Sequence, residues 1–380
     1  MKITLKRTPE QVELVKAMAS RNRQVAYEAQ VALAEFIGPV LAEVLNQAPT
    51  VSNLFQTLQF DADDNPSIPL DLYYNISDED YVQVWSQSHA GGLPSSQVLP
   101  TASELKLATY SLDSAVDFDR RYAAKSRMDV VSKTFTRVAQ NILIKQETTS
   151  ATLLMNALGP ASTNGKAHVQ NSTQNKRFIL NDLNELLTLA KRINTSWIGG
   201  TPTARTKGIT DLLCSPEVVE DLRAMAYNPI NSVAADGGAP ANTEDGIAAP
   251  DYIRSQLYEN AGLPEFYGIS IMELNELGAN QRFTNLFATA ADGITYYAPD
   301  GSDRSMTFAA GDDIVVGVDR SKDSLIRAVA TDSESGGEFT LLADDQYSIR
   351  QNKIGYFGSI EEGRVVLDNR VLVGKIIDAA

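Results

Sequence analysis

The residues with the widest catalytic and metal-binding chemistry in this chain are two histidines and one cysteine. His89 stands in a Gly-rich turn, His168 in a polar loop and Cys214 at the end of an apolar stretch. Neither histidine has a Cys or His partner at the spacing of zinc ligands, and a Ser-His-Asp triad has little to draw on. A single cysteine excludes an intrachain disulfide framework and fits a reducing cytoplasm. We therefore predict no catalytic and no metal-binding residue here.

Residues 61–65 open like a calcium-binding loop, with two aspartates and an asparagine at alternating positions. The sixth position of such a loop needs glycine for its turn, and Pro66 stands there. The twelfth position needs a bidentate acid, and Leu72 stands there. The pattern therefore favours a polar loop tip over a metal site.

Residues 159–167 nearly match the glycine-rich loop that cradles phosphates. The segment has one residue too many between Gly159 and Gly165, and Ala167 replaces the Ser or Thr that binds magnesium. It also follows a predicted helix, whereas the motif requires a preceding strand. We predict no nucleotide cofactor.

Adjacent carboxylates occur at Asp312-Asp313, Asp344-Asp345 and Glu361-Glu362. Neighbouring residues on a strand point to opposite faces, so such a pair cannot act together on one substrate. We interpret these acids as solvated turn and edge residues, and we expect no enzymatic activity.

A run of seven basic residues surrounds the clearest predicted helix: Arg120, Arg121, Lys125, Arg127, Lys133, Arg137 and Lys145. They outnumber the local acids. One interpretation is an ordinary solvated helix face, and the other is a surface that faces DNA.

Composition limits the class of protein further. The chain has 380 residues, 43% of them hydrophobic, which predicts two or more packed regions. Its formal net charge of −15 argues against a dedicated nucleic-acid binder but not against a protein that surrounds DNA. No apolar run approaches the roughly 20 residues needed to cross a bilayer, and the N-terminus lacks a signal core.

The N-terminal region predicts a long helix. Thr8 can cap it, Pro9 suits its first turn and Gln11 completes a capping box. The apolar spacing continues through Phe36, and we expect Gly38-Pro39 to break or kink the helix, with a second helix following. Because this helix has no obvious apolar partner nearby in the sequence, we expect it to pack against another subunit.

The next elements are an extended hairpin and a rod-like helix. Short alternating stretches between Val51 and Leu112, separated by Gly, Pro and Ser, predict a long β-hairpin. Ser126 and Asp129 resemble a capping box for a helix that ends at Gly159-Pro160. Apolar residues form a narrow seam along it: Met128, Val131, Phe135, Val138, Ile142, Leu154, Met155 and Leu158.

The rest of the chain alternates helices and strands. We predict a helix around 183–193, a buried strand over 209–214 and a helix capped at Ser215-Pro216. A long Gly-, Ala- and Pro-rich loop over 227–250 and a short helix over 251–261 follow. The remaining strands are predicted at these positions: 314–318, 325–329, 365–367 and 371–373.

This order of elements resembles the major capsid proteins of tailed bacteriophages with the Hong Kong 97-like fold. Residues 127–159, with the interior 146–150, look like the spine helix of that family. Residues 212–222 are similar to the strand-Pro-helix of its peripheral domain, and 347–358 and 363–371 look like its closing strands.

The resemblance implies an α+β fold in five parts, which are an N-terminal arm (1–50), an extended β-hairpin loop (51–117), spine helix and peripheral domain (118–226), axial domain (227–335) and returning C-terminal strands (336–380). It implies a subunit that assembles with its own copies into pentamers and hexamers of an icosahedral shell around double-stranded DNA. The implied partners are separate scaffold, portal and decoration proteins, with assembly in the bacterial cytoplasm and no membrane.

Two features of some family members are not carried over. We recognise no scaffolding segment of about a hundred residues, so we expect scaffolding to be separate or already removed, and no Lys and Asn can be chosen as a crosslinking pair. Three alternatives stay open: a shell protein of a bacterial nanocompartment, another structural subunit of a virion, and an enzyme with an unrecognised site.

Overall fold

The computed structural model describes most of the chain, and the statements below concern that part. The described residues are 8–47, 51–61, 66–69, 104–163, 165–172, 177–197, 208–224, 265–266, 268–297, 305–309, 311–321, 324–331, 338–344 and 352–378. Residues 70–103 of the predicted hairpin, the predicted loop at 227–250, the predicted helix at 251–261 and His89 lie outside these residues.

The described elements are helices and short to medium strands in alternation. The helices are α1 (Pro9–Met18), α2 (Arg23–Gln47), α3 (Arg120–Ala124), α4 (Met128–Leu158), α5 (Leu180–Trp197), α6 (Pro216–Ala224) and α7 (Arg282–Ala290), with 3-10 turns η1 (Val51–Leu54) and η2 (Asn369–Val371). The strands are β1 (Gln56–Asp61), β2 (Ser67–Pro69), β3 (Glu104–Lys106), β4 (Tyr110–Asp119), β5 (Ser162–Thr163), β6 (Lys166–Ala167), β7 (Val169–Asn171), β8 (Asp211–Cys214), β9 (Glu265–Phe266), β10 (Ile269–Glu273), β11 (Thr295–Tyr296), β12 (Met306–Thr307), β13 (Asp313–Val318), β14 (Leu325–Thr331), β15 (Thr340–Asp344), β16 (Lys353–Val366) and β17 (Leu372–Ile377).

The first of two compact units is built from three chain segments, 1–68, 105–150 and 326–365. Its five-stranded sheet has the order β1-β14-β16-β15, and β4 pairs antiparallel with β16 over ten residues. One face of this sheet carries Val116, Phe118, Ile354 and Tyr356, which pack in one apolar core with residues of α1, α2 and α4. The strand period of two therefore sets which side chains meet the helices.

The second unit contains segments 151–325 and 366–380 together with 69–104. Its six-stranded mixed sheet has the order β7-β17-β13-β8-β10-β9. Strands β8, β13 and β17 are buried along their whole length, as expected for central strands that are covered on both faces. Helices α5 and α6 contribute apolar side chains to its core, together with residues of β8, β10, β13 and β17.

Helix α4 is the rod that the seam predicted. It runs over 31 residues, and a rise of about 1.5 Å per residue gives a length of about 46 Å. Val131, Phe135, Val138 and Ile142 are buried, which confirms the seam. The predicted cap differs, because Ser126 has a positive φ of 51° and belongs to a tight turn between α3 and α4.

The N-terminal prediction was wrong about the position of the break. Helix α1 ends at Met18, and α2 starts at Arg23 after Asn22 accepts a hydrogen bond from the Gln24 N–H at 3.1 Å. Pro39 lies inside α2 without ending it. Proline removes one N–H, and both Pro39 and Glu35, whose carbonyl loses that donor, lie on the exposed side where water can replace it.

The expectation that these helices lack a partner in their own chain was also wrong. Val15, Met18, Leu33, Ile37 and Leu41 are buried in the core of the first unit. By length and composition alone, Arg23–Leu45 is apolar enough to cross a bilayer, contrary to the sequence expectation. An 18-residue window of this segment has a mean hydropathy of 1.3, and 44% of that window is buried in the protein.

The predicted hairpin is shorter at its base than expected. β2 pairs with β3, but β1 pairs parallel with β14 and β4 pairs with β16, so both ends of the segment join the larger sheet. The residues between β2 and β3 lie outside the described part. The five domain boundaries given by the resemblance remain predictions.

Candidate functional site

His168 is a buried structural residue. Its Nε2 lies 2.7 Å from Thr163 Oγ1 and its Nδ1 lies 3.1 Å from the carbonyl oxygen of Asn369, so the ring ties the β5–β6 hairpin to η2. Burial lowers the pKa of His168, which favours the neutral ring. Within the described residues, no group of three or more His, Cys, Asp or Glu side chains could hold a metal ion.

Cys214 and Ser215 lie side by side at the end of β8, and both are fully buried. Burial raises the pKa of the Cys214 thiol well above its ordinary value, which makes it a poor nucleophile. Ser215 Oγ accepts a hydrogen bond from the Val218 N–H at 3.3 Å and donates one to Asp313. The serine therefore acts as the predicted cap of α6.

The segment that resembled a phosphate loop has a packing role at its first residue. The Gly159 carbonyl accepts a hydrogen bond from the Tyr296 hydroxyl at 2.8 Å. A Cβ at Gly159 would lie 2.8 Å from the Ala290 carbonyl oxygen, so α4 ends in close contact with α7. Asn164 of this segment and residues 62–65 of the predicted calcium-like loop lie outside the described residues.

The acidic pairs behave in two ways. Glu361 and Glu362 point to opposite faces of β16, because Glu361 accepts a hydrogen bond from Thr109 at 2.7 Å while Glu362 is buried. The opposite faces are as predicted, but the buried Glu362 contradicts the interpretation of this pair as solvated edge residues. Asp312 and Asp313 are both buried, and Asp312 accepts a hydrogen bond from the Ala309 N–H at 2.8 Å. Their surroundings are structural, not solvated as expected.

Glu362 is the centre of a buried charged network in the first unit. Its carboxylate accepts hydrogen bonds from Arg327 Nε at 3.0 Å, Arg364 Nη2 at 3.1 Å, Gln146 Nε2 at 3.0 Å and the Tyr110 hydroxyl at 3.1 Å. Burial, and then the charge of Glu362, raise the pKa of Tyr110. The network joins α4 to strands β4, β14 and β16.

The same network holds the turn that follows α2. Arg364 donates to the Gln146 carbonyl and to Ser52 Oγ, each at 2.8 Å, and the Val51 N–H donates to Glu147 at 3.0 Å. Burial lowers the pKa of Arg364, and the nearby acids oppose that shift. Sequence reasoning missed this network, although its α4 members belong to the 146–150 interior quoted for the spine helix.

A second buried ion cluster lies in the second unit. Lys375 on β17 is fully buried, and its Nζ lies 2.6 Å from Glu185 and 3.5 Å from Asp182 on α5. Asp182 also accepts hydrogen bonds from Ser172 Oγ at 2.8 Å and from the Ile179 N–H at 3.1 Å. Each acceptor is used by protein groups, so this cluster attaches α5 to the sheet.

One exposed apolar surface follows α2. The α2 stripe comprises Val25, Ala32, Phe36 and Val40, which lie within about 80° of one another around an ideal helix of 3.6 residues per turn. Phe36 is 52% exposed and Val25 and Val40 are about 40% exposed. A row of large apolar side chains in water is typical of a surface that another protein covers.

The exposed side of α4 is basic. Lys133, Arg137 and Lys145 are exposed there, together with Gln140 and Asn141. Ile144 is the exposed large apolar residue in the same stretch, at 54%. The structure thus places on one side of α4 three of the seven cations that the sequence singled out.

Comparison with solved structures finds shell-forming proteins. The chain is similar to capsid subunits. The capsid of a native GTA particle is 11% identical and covers 87% of this chain and 90% of its own, with a TM-score of 0.48. The capsid of the cyanophage P-SCSP1u is 14% identical over 88% of this chain and 89% of its own, with a TM-score of 0.45.

A virus-like particle from Pyrococcus furiosus is 11% identical over 91% of this chain and 99% of its own, with a TM-score of 0.43. No protein-family model and no curated protein matches the chain.

Proposed function

We propose that this chain is the major capsid protein of a tailed bacteriophage, a subunit that assembles with its own copies into pentamers and hexamers. The observation that carries the proposal is the order of elements around the 31-residue rod α4. Two helices and a β-segment precede the rod, and a mixed α/β unit and the long closing strand β16 follow it. This is the order expected of the Hong Kong 97-like fold, with α4 as its spine helix.

The two buried charged networks support a structural role. Both hold helices against sheets in geometries where each carboxylate already accepts hydrogen bonds from protein groups. The described residues offer no metal-binding cluster, and their buried Cys214, Ser215 and His168 are inaccessible to a substrate. This arrangement fits a structural subunit better than an enzyme.

The α2 stripe is the contact that the described residues offer for assembly. Its large apolar side chains point away from the core that the other side of α2 forms. A closed shell requires each subunit to bury such a surface against its neighbours. The arm therefore contributes to assembly through its outer face, while its inner face belongs to the fold.

This division decides how assembly should be tested. Deleting residues 1–47 removes Leu33, Ile37 and Leu41 from the core of the first unit, so the deletion confounds folding with assembly. A substitution on the exposed face avoids that problem. Phe36→Ser removes the most exposed large side chain of the stripe, and Tyr297→Ser removes a similarly exposed aromatic residue of the second unit as a control.

The assay is negative-stain electron microscopy with light scattering of the purified protein, with and without the scaffold gene from its genomic neighbourhood. We expect shells, rings or tubes from the unaltered protein and from Tyr297→Ser, and unassembled folded subunits from Phe36→Ser. Unassembled monomers of the unaltered protein under both conditions would contradict the proposal. Shells that hold a protein cargo and no nuclease-protected DNA would instead identify a nanocompartment.

A further inference from the structure

The basic side of α4 is exposed and long, and few acids lie near it in the sequence. No Asp or Glu occurs between Val130 and Gln146, a stretch that carries Lys133, Arg137 and Lys145. All three are exposed. We define these three residues as the α4 basic row. Across residues 120–146 the chain has seven Lys and Arg and a single acid, a local formal charge of +6 in a protein of −15.

The three cations are available to an outside partner. Within the described part of the chain, none of them pairs with a carboxylate, whereas other surface cations do. Arg121 lies 2.9 Å from Asp119, and Lys353 pairs with Asp117. An exposed ion pair contributes little to stability, so the folded state does not require these three cations to stay without acidic neighbours.

The geometry favours a long anion. On an ideal helix Lys133, Arg137 and Lys145 lie within about 120° of one another and span about 18 Å along the axis. They therefore form a line of charges along one side of α4. Duplex DNA presents one negative charge per about 1.7 Å of its axis, and such a line can contact successive phosphates.

We propose that the α4 basic row binds the phosphate backbone of duplex DNA, without reading its sequence. Gln140 and Asn141 add exposed amide donors to the same side, and amides as well as cations bind phosphate oxygens. A lipid surface would call for several apolar side chains beside the cations, and the row has Ile144 as its exposed large apolar neighbour. The location of this row on the inside of a shell rests on the proposed function, but the binding itself does not.

The test measures how binding of the full-length, unassembled subunit to a 30-base-pair duplex depends on salt, by fluorescence anisotropy between 25 and 200 mM NaCl. The test variant is Lys133→Gln, Arg137→Gln, Lys145→Gln. The control variant is Lys166→Gln, Arg177→Gln, Arg192→Gln, which removes three exposed cations of the second unit and changes net charge equally. Circular dichroism checks that both variants keep their helices.

Each phosphate contact contributes about 0.9 to the slope of log K against log salt, so the test variant should lower its magnitude by about 2.7. The control variant should keep the slope of the unaltered protein. An unchanged slope in the test variant, equal losses in both variants, or no duplex binding at 25 mM NaCl would overturn the proposal. Row-dependent binding to anionic phosphatidylglycerol vesicles in place of DNA would also overturn it and identify a membrane surface.

Electron microscopy of the same variants separates this inference from the proposed function. Shells with an unaltered salt slope would leave the capsid function intact and reject the row as the DNA contact. A reduced slope in a protein that never assembles would support the row and reject the shell.

Discussion

Replacing Glu362 with glutamine tests whether the buried network holds α4 to its sheet. The substitution keeps the side-chain shape but removes the negative charge and turns one acceptor into a donor. Four donors converge on this carboxylate, two of them guanidinium groups. In the variant, Arg327 and Arg364 lose the acid they share, while their side chains are only 6% and 1% exposed.

The expected cost follows from that burial. Breaking a buried ion pair by removing one partner costs about 3–5 kcal/mol, because the remaining charge has no water to replace the loss. Glu147 lies close enough to favour the charged form of Arg364, which places the expectation in the lower half of that range. We predict that Glu362→Gln lowers the free energy of unfolding by about 3–4 kcal/mol.

Urea denaturation of the unassembled subunit, followed by circular dichroism, measures this loss. Urea is uncharged and does not screen the ion pairs, unlike guanidinium chloride. Glu361→Gln is the matched control, since it changes the same residue type one position away, on the other face of β16. Its amide oxygen can still accept the hydrogen bond from Thr109, so the substitution should cost about 1 kcal/mol or less.

A loss for Glu362→Gln that stays within about 1 kcal/mol of the control would refute the reasoning. It would mean that water or a rearranged acid satisfies the two arginines. A double-mutant cycle with Arg364→Met then locates the error, since the network predicts a coupling of at least 0.5 kcal/mol between the two positions, the lower end of the usual range for contacting residues.

Two further outcomes follow from the end of α4. Gly159→Ala should destabilise the second unit by about 1–3 kcal/mol, because its Cβ would lie 2.8 Å from the backbone of Ala290. Gly311→Ala is the control: its Cβ would have no atom within 4 Å, and the same urea titration should show no loss of stability. Burial raises the pKa of Tyr296 to about 12, so its contribution to stability is complete below about pH 10 and is lost as pH rises from 10 through 12. Tyr296→Phe should lower the free energy of unfolding by about 1 kcal/mol at pH 8, because the hydrogen bond to Gly159 is lost. Between pH 10 and 12 the variant should lose less stability than the unaltered protein. Equal losses in the two proteins over that pH range would contradict this prediction.

The elements predicted best from the sequence are those whose residue pattern lies within one continuous segment of the chain. The apolar seam of α4 repeats from Met128 to Ile142 and again over its last turns, and only a helix places Val131, Phe135, Val138 and Ile142 on one side. The cap at Ser215 and the buried strand before it are also local patterns, and both are confirmed.

The error in the N-terminal region shows that tertiary packing can override the helix-breaking tendency of proline. Proline predicted a break at position 39, but the helix continues because the lost hydrogen bond faces water and the opposite side is held by Ile37 and Leu41. The actual break carried a signal of its own. Asn22 is a preferred capping residue and could have marked the start of α2.

The buried network could not be predicted because its members are far apart in sequence. Arg327 lies in a strand that is buried at six consecutive positions, and Glu362 is 35 residues further on. A charged residue at such a position indicates a buried partner without identifying it. Pairing with Gln146 depends on how α4 crosses β16, which only the fold decides.

The distribution of charge links the proposed function to the α4 basic row. Removing the local +6 of residues 120–146 from the net −15 leaves −21 on the rest of the chain. A shell that attracted DNA over its whole surface would bind it tightly and in any orientation. A subunit that is acidic elsewhere and basic along one rod repels duplex DNA except on that side. Neutralising the row should therefore weaken DNA binding more than the loss of three charges from a uniform surface would, and the control variant in the second unit measures that difference.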